Sequence, residues 1–159
     1  MTRAVRTYGL THLALLVRDP KRSLRFYARV FGMKTVYHSP GFIQAQTPGS
    51  HDVLVFQKRP RGRSARPGPG GASRGIAHFG FRLEDPGDIA AAAAVVRAAG
   101  GTVREQGEFC PGEPYLFFTD PDGNEVEIWY EPPTPIDPPS RRGGARRAPK
   151  SRARASGRG

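Results

Sequence analysis

The chain contains two copies of one local pattern, and this internal repeat limits its fold more than any other feature. The first copy opens with His12 and a short apolar run and reaches Asp19-Pro20 seven residues later. The second opens with His78 and reaches Asp85-Pro86 at the same spacing. A module of this length is too short to bury a core alone, so two copies are expected to pack together as one domain.

Each copy predicts the element order β-α-β-β-β. Alternating apolar residues indicate the strands, and the Asp-Pro pairs indicate where the helices begin. The predicted strands are 11–17, 34–38, 42–46 and 53–57 in the first copy, and 77–83, 102–105, 115–119 and 125–130 in the second. The predicted class is therefore α+β, with two paired βαβββ modules that form mixed sheets.

The charge of the chain is concentrated in two segments. Of the 25 basic residues, six lie in 58–75 and eight in 138–159, and neither segment contains an acidic residue. Both segments have few apolar side chains, so the ordering entropy is not offset and disorder is expected. We predict one domain over 1–137, with module one at 7–58, a basic insertion at 58–75 and module two at 76–131, followed by a disordered Arg-rich tail at 138–159.

These basic segments allow two interpretations. They fit weak contact with nucleic acid or another polyanion, or they are simply solvated, since no aromatic residue is interleaved for base stacking. A single cysteine, Cys110, excludes an internal disulfide, which is typical of a reducing cytoplasm. No run of apolar residues is long enough to suggest a membrane span, so we expect a cytoplasmic protein with no membrane contact.

Three polar side chains share one feature: each lies on the strand face opposite the bulky apolar residues. Alternation places His12 opposite Leu13 and Leu15. It places His78 opposite Phe79, and Glu127 opposite its two apolar neighbours. Two imidazoles and one carboxylate can hold a divalent metal with open positions, which favours Fe(II), with Mn(II) or Zn(II) as alternatives. Taken singly, each is as easily a hydrogen-bonded or solvent-facing residue.

The repeat also identifies neighbours of this predicted site. The counterpart of Glu127 in module one is Val55, which cannot bind a metal, and Gln57 lies on the same face one pair further along. Arg82 shares the face of His78, where it either neutralises an anionic substrate or is a solvated charge at a strand end.

Four stretches of the chain resemble the vicinal oxygen chelate superfamily, which includes glyoxalase I, bleomycin-resistance proteins, fosfomycin-resistance transferases and extradiol dioxygenases. They are GLTHLALLVRDP at 9–20, SLRFYARVFG at 23–32, GIAHF at 75–79 and FFTDPDGNEVEI at 117–128. The resemblance covers about residues 7–131 and implies a cup built from paired modules around a metal, formed by one chain or by two. It implies His12, His78 and Glu127 as the metal ligands.

Departures from the family pattern narrow the expected chemistry. Glyoxalase I carries a Glu where this chain has Val55, which disfavours isomerase activity. Extradiol dioxygenases carry an acid-base Tyr near Phe117, and here Tyr115 lies two residues earlier, with Phe117 and Trp129 expected to shape the substrate pocket. Fosfomycin transferases carry basic residues soon after the Glu ligand, where this chain has Trp-Tyr-Glu-Pro at 129–132.

The resemblance therefore leaves three functions open. The first is a dioxygenase-like oxidoreductase that acts on a small substrate with adjacent oxygens. The second is a glyoxalase-like lyase or thiol transferase that uses Mn or Zn as a Lewis acid. The third is a binding protein without catalysis, similar to the bleomycin-resistance proteins. A small-molecule substrate is expected in the first two, and a homodimer is compatible with all three.

Overall fold

The computed structural model describes residues 10–60 and 76–134, and within them the two predicted modules form two mixed four-stranded sheets with two α-helices. The tail at 138–159 and most of the insertion at 58–75 lie outside the described residues. Module one contains β1 (His12–Val17), α1 (Pro20–Phe31), β2 (Lys34–Ser39), β3 (Phe42–Gln46) and β4 (Val53–Lys58). Module two contains β5 (Phe79–Arg82), α2 (Ile89–Ala99), β6 (Thr102–Glu108), β7 (Pro114–Thr119) and β8 (Glu125–Trp129).

The predicted signals for the ends of α1 are confirmed. The Asp19 side chain accepts a hydrogen bond from the Lys21 N–H at 2.9 Å, and Pro20 occupies the first helical position. This arrangement satisfies one of the backbone donors that every helix start leaves open. Gly32 ends the helix with φ of 67°, a left-handed conformation that glycine adopts without a steric penalty.

The start of α2 differs from the prediction. Asp85 caps a single turn of 3₁₀ helix at Pro86–Asp88, accepting from the Gly87 N–H at 2.8 Å, and the α-helix begins only at Ile89. Glycine in the first turn has low helix propensity, so the tighter turn forms before the alanine-rich run takes over. Neither α-helix of the described ranges is long and apolar enough to cross a membrane.

Both sheets have the same strand arrangement. Their orders are β1-β4-β3-β2 and β5-β8-β7-β6, in which the first strand of each module pairs in parallel with its last strand. Ala14 pairs with Val55 in module one, and Gly80 pairs with Glu127 in module two. Since Ala14 and Gly80 each lie two residues after the repeated His, this register confirms Val55 as the counterpart of Glu127.

The two modules also share an irregularity. The pairing of β2 with β3 shifts between Thr35 and Tyr37, and the pairing of β6 with β7 shifts between Val103 and Glu105. An extra residue of this kind reverses the face on which the following side chains lie. Tyr37 and Glu105 are therefore equivalent positions, each the first paired residue after its bulge.

A single core joins the modules. The inward residues of both sheets pack with the helices, and Val17, Phe56, Phe118 and Val126 are each 0% exposed. Ring contacts show that α1 touches both sheets: Phe31 stacks on Phe81 of β5 at 3.8 Å, while Tyr27 stacks on Phe56 of β4 at 5.1 Å. The faces that carry His12, His78 and Glu127 lie opposite this core.

One buried polar cluster connects α1 to the turn between β7 and β8. Asp120 is 4% exposed, and its carboxylate accepts hydrogen bonds from the Tyr27 hydroxyl at 2.9 Å, the Asn124 amide at 2.8 Å and two backbone N–H groups. Asp122, in the same turn, accepts from the Arg18 N–H at 2.8 Å and forms an ion pair with Arg22 at 2.9 Å. These contacts fix the turn between β7 and β8 against α1 and the residues just before it.

The substitution Tyr27→Phe removes one of the four donors to the buried Asp120 carboxylate while leaving the ring in place. We expect it to lower the free energy of unfolding by about 1–3 kcal/mol, the cost of an unsatisfied buried polar group. Chemical denaturation measures this loss. The matched control is Tyr37→Phe, at a ring that is 52% exposed, where a change of less than about 0.5 kcal/mol is expected.

The loss of stability caused by Tyr27→Phe should also depend on pH. Burial raises the pKa of Asp120, and the hydrogen bonds from Asn124 and Tyr27 partly offset this rise. The pKa of Asp120 is higher in the folded state than in the unfolded state. Its contribution to the free energy of unfolding is therefore largest below the unfolded-state pKa and falls as pH rises through the folded-state pKa. Tyr27→Phe raises the folded pKa further, so its cost should be larger at neutral than at acid pH. A cost that is equal at both would contradict this account.

Candidate functional site

His78 and Glu127 come together beside β5. The Nε2 atom of His78 lies 3.4 Å from Oε2 of Glu127, and their side chains are 42% and 11% exposed. His78 immediately precedes β5, which is shorter than predicted, whereas Glu127 is central in β8. Gly80 makes this approach possible, because a Cβ atom at that position would lie 3.3 Å from the same carboxylate oxygen.

His12 occupies the equivalent place in module one but does not join this pair. It begins β1, is exposed, and its Nδ1 atom lies 3.0 Å from the Thr11 hydroxyl. Among residues 10–60 and 76–134, no three His, Cys, Asp or Glu side chains are gathered closely enough to hold a metal. Since both ligand faces point away from the shared core, one chain gathers two of the three predicted ligands and not the third.

Four aromatic side chains lie in a connected group beside His78. We call this group the aromatic platform, and its members are Phe109, Tyr115, Phe117 and Trp129. His78 meets Phe117 edge-on at 5.1 Å between ring centroids, and Phe117 contacts Tyr115 at 5.6 Å. Phe109 stacks on Tyr115 at 4.1 Å and meets Trp129 edge-on at 5.5 Å. The platform therefore forms one continuous apolar surface beside the His78–Glu127 pair.

The register of β7 and β8 places three predicted pocket residues on this face. Tyr115 pairs with Trp129 and Phe117 pairs with Glu127, so all four side chains point the same way. Phe109, which the strand pattern did not predict, lies in the loop after β6 and is 51% exposed. The sequence does contain one signal for Phe109, because it is an aromatic residue in a short loop of polar and small residues.

The Tyr115 hydroxyl donates a hydrogen bond of 2.6 Å to Oε1 of Glu105. This bond raises the pKa of Tyr115 further above neutral pH, where a phenol already keeps its proton. Gly107 allows the ring to lie across β6, because a Cβ atom there would come within 2.9 Å of the phenol oxygen. Sequence alternation missed Glu105: without the bulge it would share the core face of Val103.

The remaining predicted residues surround the site without joining the pair. Val55 is 8% exposed, and Gln57 is exposed opposite Leu16 on the same face of the first sheet. Arg82 donates from Nε to the Glu131 carbonyl at 2.8 Å, and its guanidinium lies 4.0 Å from the Glu131 carboxylate. These contacts agree with the interpretation of Arg82 as a charge at a strand end.

An imidazole nitrogen beside a carboxylate oxygen is part of a donor set that suits Fe(II), Mn(II) or Zn(II). His78 and Glu127 fit such an ion by chemistry and by proximity. Two protein donors leave most of the coordination sphere to other ligands, so a further imidazole from His12 would complete the predicted set.

Comparison with known proteins agrees with this fold. The sequence model of the Glyoxalase/Bleomycin resistance protein/Dioxygenase superfamily matches residues 9–128. An uncharacterized protein of Pseudomonas aeruginosa is 33% identical over 129 residues, which cover 78% of this chain and 89% of that protein. The catechol-2,3-dioxygenase of Bacillus subtilis is 28% identical over 126 residues, which cover 77% of this chain but only 42% of that enzyme.

Among solved structures, a mutant of the fosfomycin resistance protein FosX from Listeria monocytogenes, complexed with Mn(II) and dihydroxypropylphosphonic acid, matches with a TM-score of 0.60. The identity is 18%, and the match covers 77% of this chain and 90% of that one. At this identity the match shows a common fold. The profile match over most of the described residues confirms the resemblance seen in the sequence, and the chain belongs to the glyoxalase/bleomycin resistance protein/dioxygenase superfamily.

Proposed function

We propose that this protein is a metal-dependent oxidoreductase of dioxygenase type, acting on a small aromatic substrate with two adjacent oxygens. The observation that carries the proposal is the His78–Glu127 pair, which lies directly beside the aromatic platform. The likeness to a catechol-2,3-dioxygenase supports the same chemistry. In this proposal His12, His78 and Glu127 hold Fe(II), which would bind the adjacent oxygens of the substrate and favour loss of a hydroxyl proton.

We further propose that a second copy of the chain completes each site. The ligand faces of the two sheets lie opposite one shared core, so His12 of one copy is available to the His78–Glu127 pair of another. β1 and β5 each pair with one neighbour among the described strands, which leaves an edge open on each sheet. Two-fold symmetry would then produce two identical sites.

The side chains of the site have separable roles in this proposal. His78 and Glu127 would hold the metal that binds the substrate oxygens, and the aromatic platform would bind the ring and exclude water from that side. Tyr115 is protonated at neutral pH as phenols are, and its bond to Glu105 raises its pKa further, which suits a hydrogen-bond donor or acid rather than a base. Val55 contributes no fourth ligand, so coordination positions remain for the substrate and dioxygen.

A second function has one observation in its favour. The structurally similar FosX protein is complexed with Mn(II), which acts on substrates without a change of its own oxidation state when it serves as a Lewis acid. The same three residues in this chain would support a lyase or transferase reaction with Mn(II) or Zn(II). Dependence on oxygen separates the two functions.

The shared site predicts complementation between two inactive variants. His12→Ala and His78→Ala should each lose the tightly bound metal, because every site in either homodimer lacks one imidazole. After the two are mixed and allowed to exchange chains, about one quarter of the wild-type metal content should return. Random pairing makes about half of the dimers mixed, and one of the two sites in each mixed dimer is complete. Metal analysis after desalting measures this recovery.

The matched control is His51→Ala, at an exposed histidine outside both ligand faces, which should retain the full metal content. Failure of the mixture to regain metal, when each variant alone lacks it, would show that the histidines do not combine across two chains. Full metal content in either variant alone would remove that histidine from the ligand set.

The reaction itself is tested by oxygen uptake. Protein loaded with Fe(II) without air and then given catechol should consume oxygen in proportion to the catechol added. Glu127→Gln should reduce the rate by more than about tenfold, because it replaces the anionic donor with a weaker neutral one. Activity on a diol or epoxide with Mn(II) and no oxygen would support the second function instead. Absence of both activities would contradict an enzymatic role on these substrates.

A further inference from the structure

The site face of module two carries an acidic group at the far side of the aromatic platform from the metal ligands. Glu105 approaches the platform through the 2.6 Å hydrogen bond from Tyr115, and it is exposed. The phenol engages Oε1, while an ionised carboxylate has about four lone-pair sites and so retains capacity for a second donor. Glu105 is therefore placed to contact a ligand that lies on the platform.

Arg82, the basic residue that shares the face of His78, is already engaged. Arg82 forms its hydrogen bond and ion pair with Glu131, beyond the end of β8. On the corresponding face of module one, the position equivalent to Glu105 is the uncharged Tyr37. The basic residue on that face is Lys34, which pairs with Gln46 in the same row of the sheet as His12, one outward position before Tyr37. Arg82 is thus engaged with Glu131, and the carboxylate of Glu105 is the charged group that contacts the platform through Tyr115.

We propose that the aromatic platform and Glu105 form a substrate subsite that selects aromatic diols bearing a positively charged substituent over those bearing a negative one. This inference rests on the proposed function, in which the diol oxygens lie at His78 and Glu127. A ring stacked on the platform directs its substituent away from the metal ligands and towards Glu105. The substituent, rather than the diol, distinguishes one substrate from another.

Two physical effects favour a positively charged substituent at this place. The faces of aromatic rings attract cations, and the exposed Phe109 extends the platform beside Tyr115 and Trp129. The Glu105 carboxylate attracts an ammonium group and repels a carboxylate at the same place. Because Glu105 is exposed, each effect is modest, and the preference depends on both together.

The platform contains the only tryptophan of the chain, Trp129, so intrinsic fluorescence reports directly on ligand binding there. Full-length protein is titrated under nitrogen with three catechols of similar size: dopamine, which carries an ammonium group, the neutral ethylcatechol, and the anionic homoprotocatechuate. Dissociation constants are obtained from the quenching of Trp129, corrected for absorption by the ligand, with and without added Zn²⁺.

We expect dopamine to bind most tightly and homoprotocatechuate most weakly, with about a tenfold ratio between their dissociation constants, the combined size of two exposed charge interactions. Glu105→Gln should bring this ratio close to one while leaving the affinity for ethylcatechol within about twofold. The matched control is Glu108→Gln, which removes the same charge from the same strand. Its carboxylate contacts the Gly112 N–H in the hairpin loop, and the ratio should stay as in the wild type.

Equal affinities in the wild-type protein, or a ratio unchanged by Glu105→Gln, would overturn the inference. So would the absence of quenching by all three ligands. Oxygen uptake measured on the Fe(II)-loaded samples separates this outcome from failure of the proposed function. Ranked affinities without oxygen uptake would contradict the dioxygenase and retain the charge-selective subsite, whereas uptake with unranked affinities would contradict the subsite alone.

Discussion

The contact of α1 with both sheets determines how the rest of the molecule can be used. Phe31 stacks on Phe81 of module two, and the Tyr27 hydroxyl reaches the buried Asp120 carboxylate. These contacts turn the apolar faces of both modules towards one core. They also turn the two polar faces outward, so the internal repeat places the two predicted half-sites on different surfaces of the chain instead of forming one closed site within it.

The two half-sites are alike in backbone and unlike in chemistry. Parallel pairing brings Val55 beside Ala14 in one sheet and Glu127 beside Gly80 in the other, at equivalent positions. The second half-site therefore combines an imidazole with a carboxylate, and the first offers an imidazole among neutral neighbours. Association of unlike halves would place three donors around an ion, which is the arrangement that the proposed chemistry requires.

Much of this organisation could be predicted from the sequence, because regular strands have a fixed two-residue period. Alternation assigned Glu127 and Trp129 to the polar face, and the repeat identified Val55 as the counterpart of Glu127. The length of β5 was overestimated, since His78 precedes the strand rather than lying within it. Periodicity gives the face of a side chain but not how two sheets pack, so the separation of His12 from the pair had no local signal.

The part of the site that was missed has a common physical cause. A bulge reverses the face on which the following side chains lie. The pattern of residues before β7 does not show where the extra residue lies. Glu105 was therefore not included among the site residues, although the structure places its carboxylate on the Tyr115 hydroxyl. Phe109 was missed because loops have no period from which a direction can be inferred. Both residues lie at the site although neither is buried.

The paired bulges also bear on how such a protein changes over time. Each bulge interrupts the alternation of core-facing and outward-facing residues in the outer strand. A residue just after the bulge can therefore be substituted without changing the packing of the core. Tyr37 and Glu105 occupy these two equivalent places and differ in both size and charge. A duplicated module with this device can acquire new ligand preferences at its rim while the helix contacts and the strands that carry His12 and Glu127 stay intact.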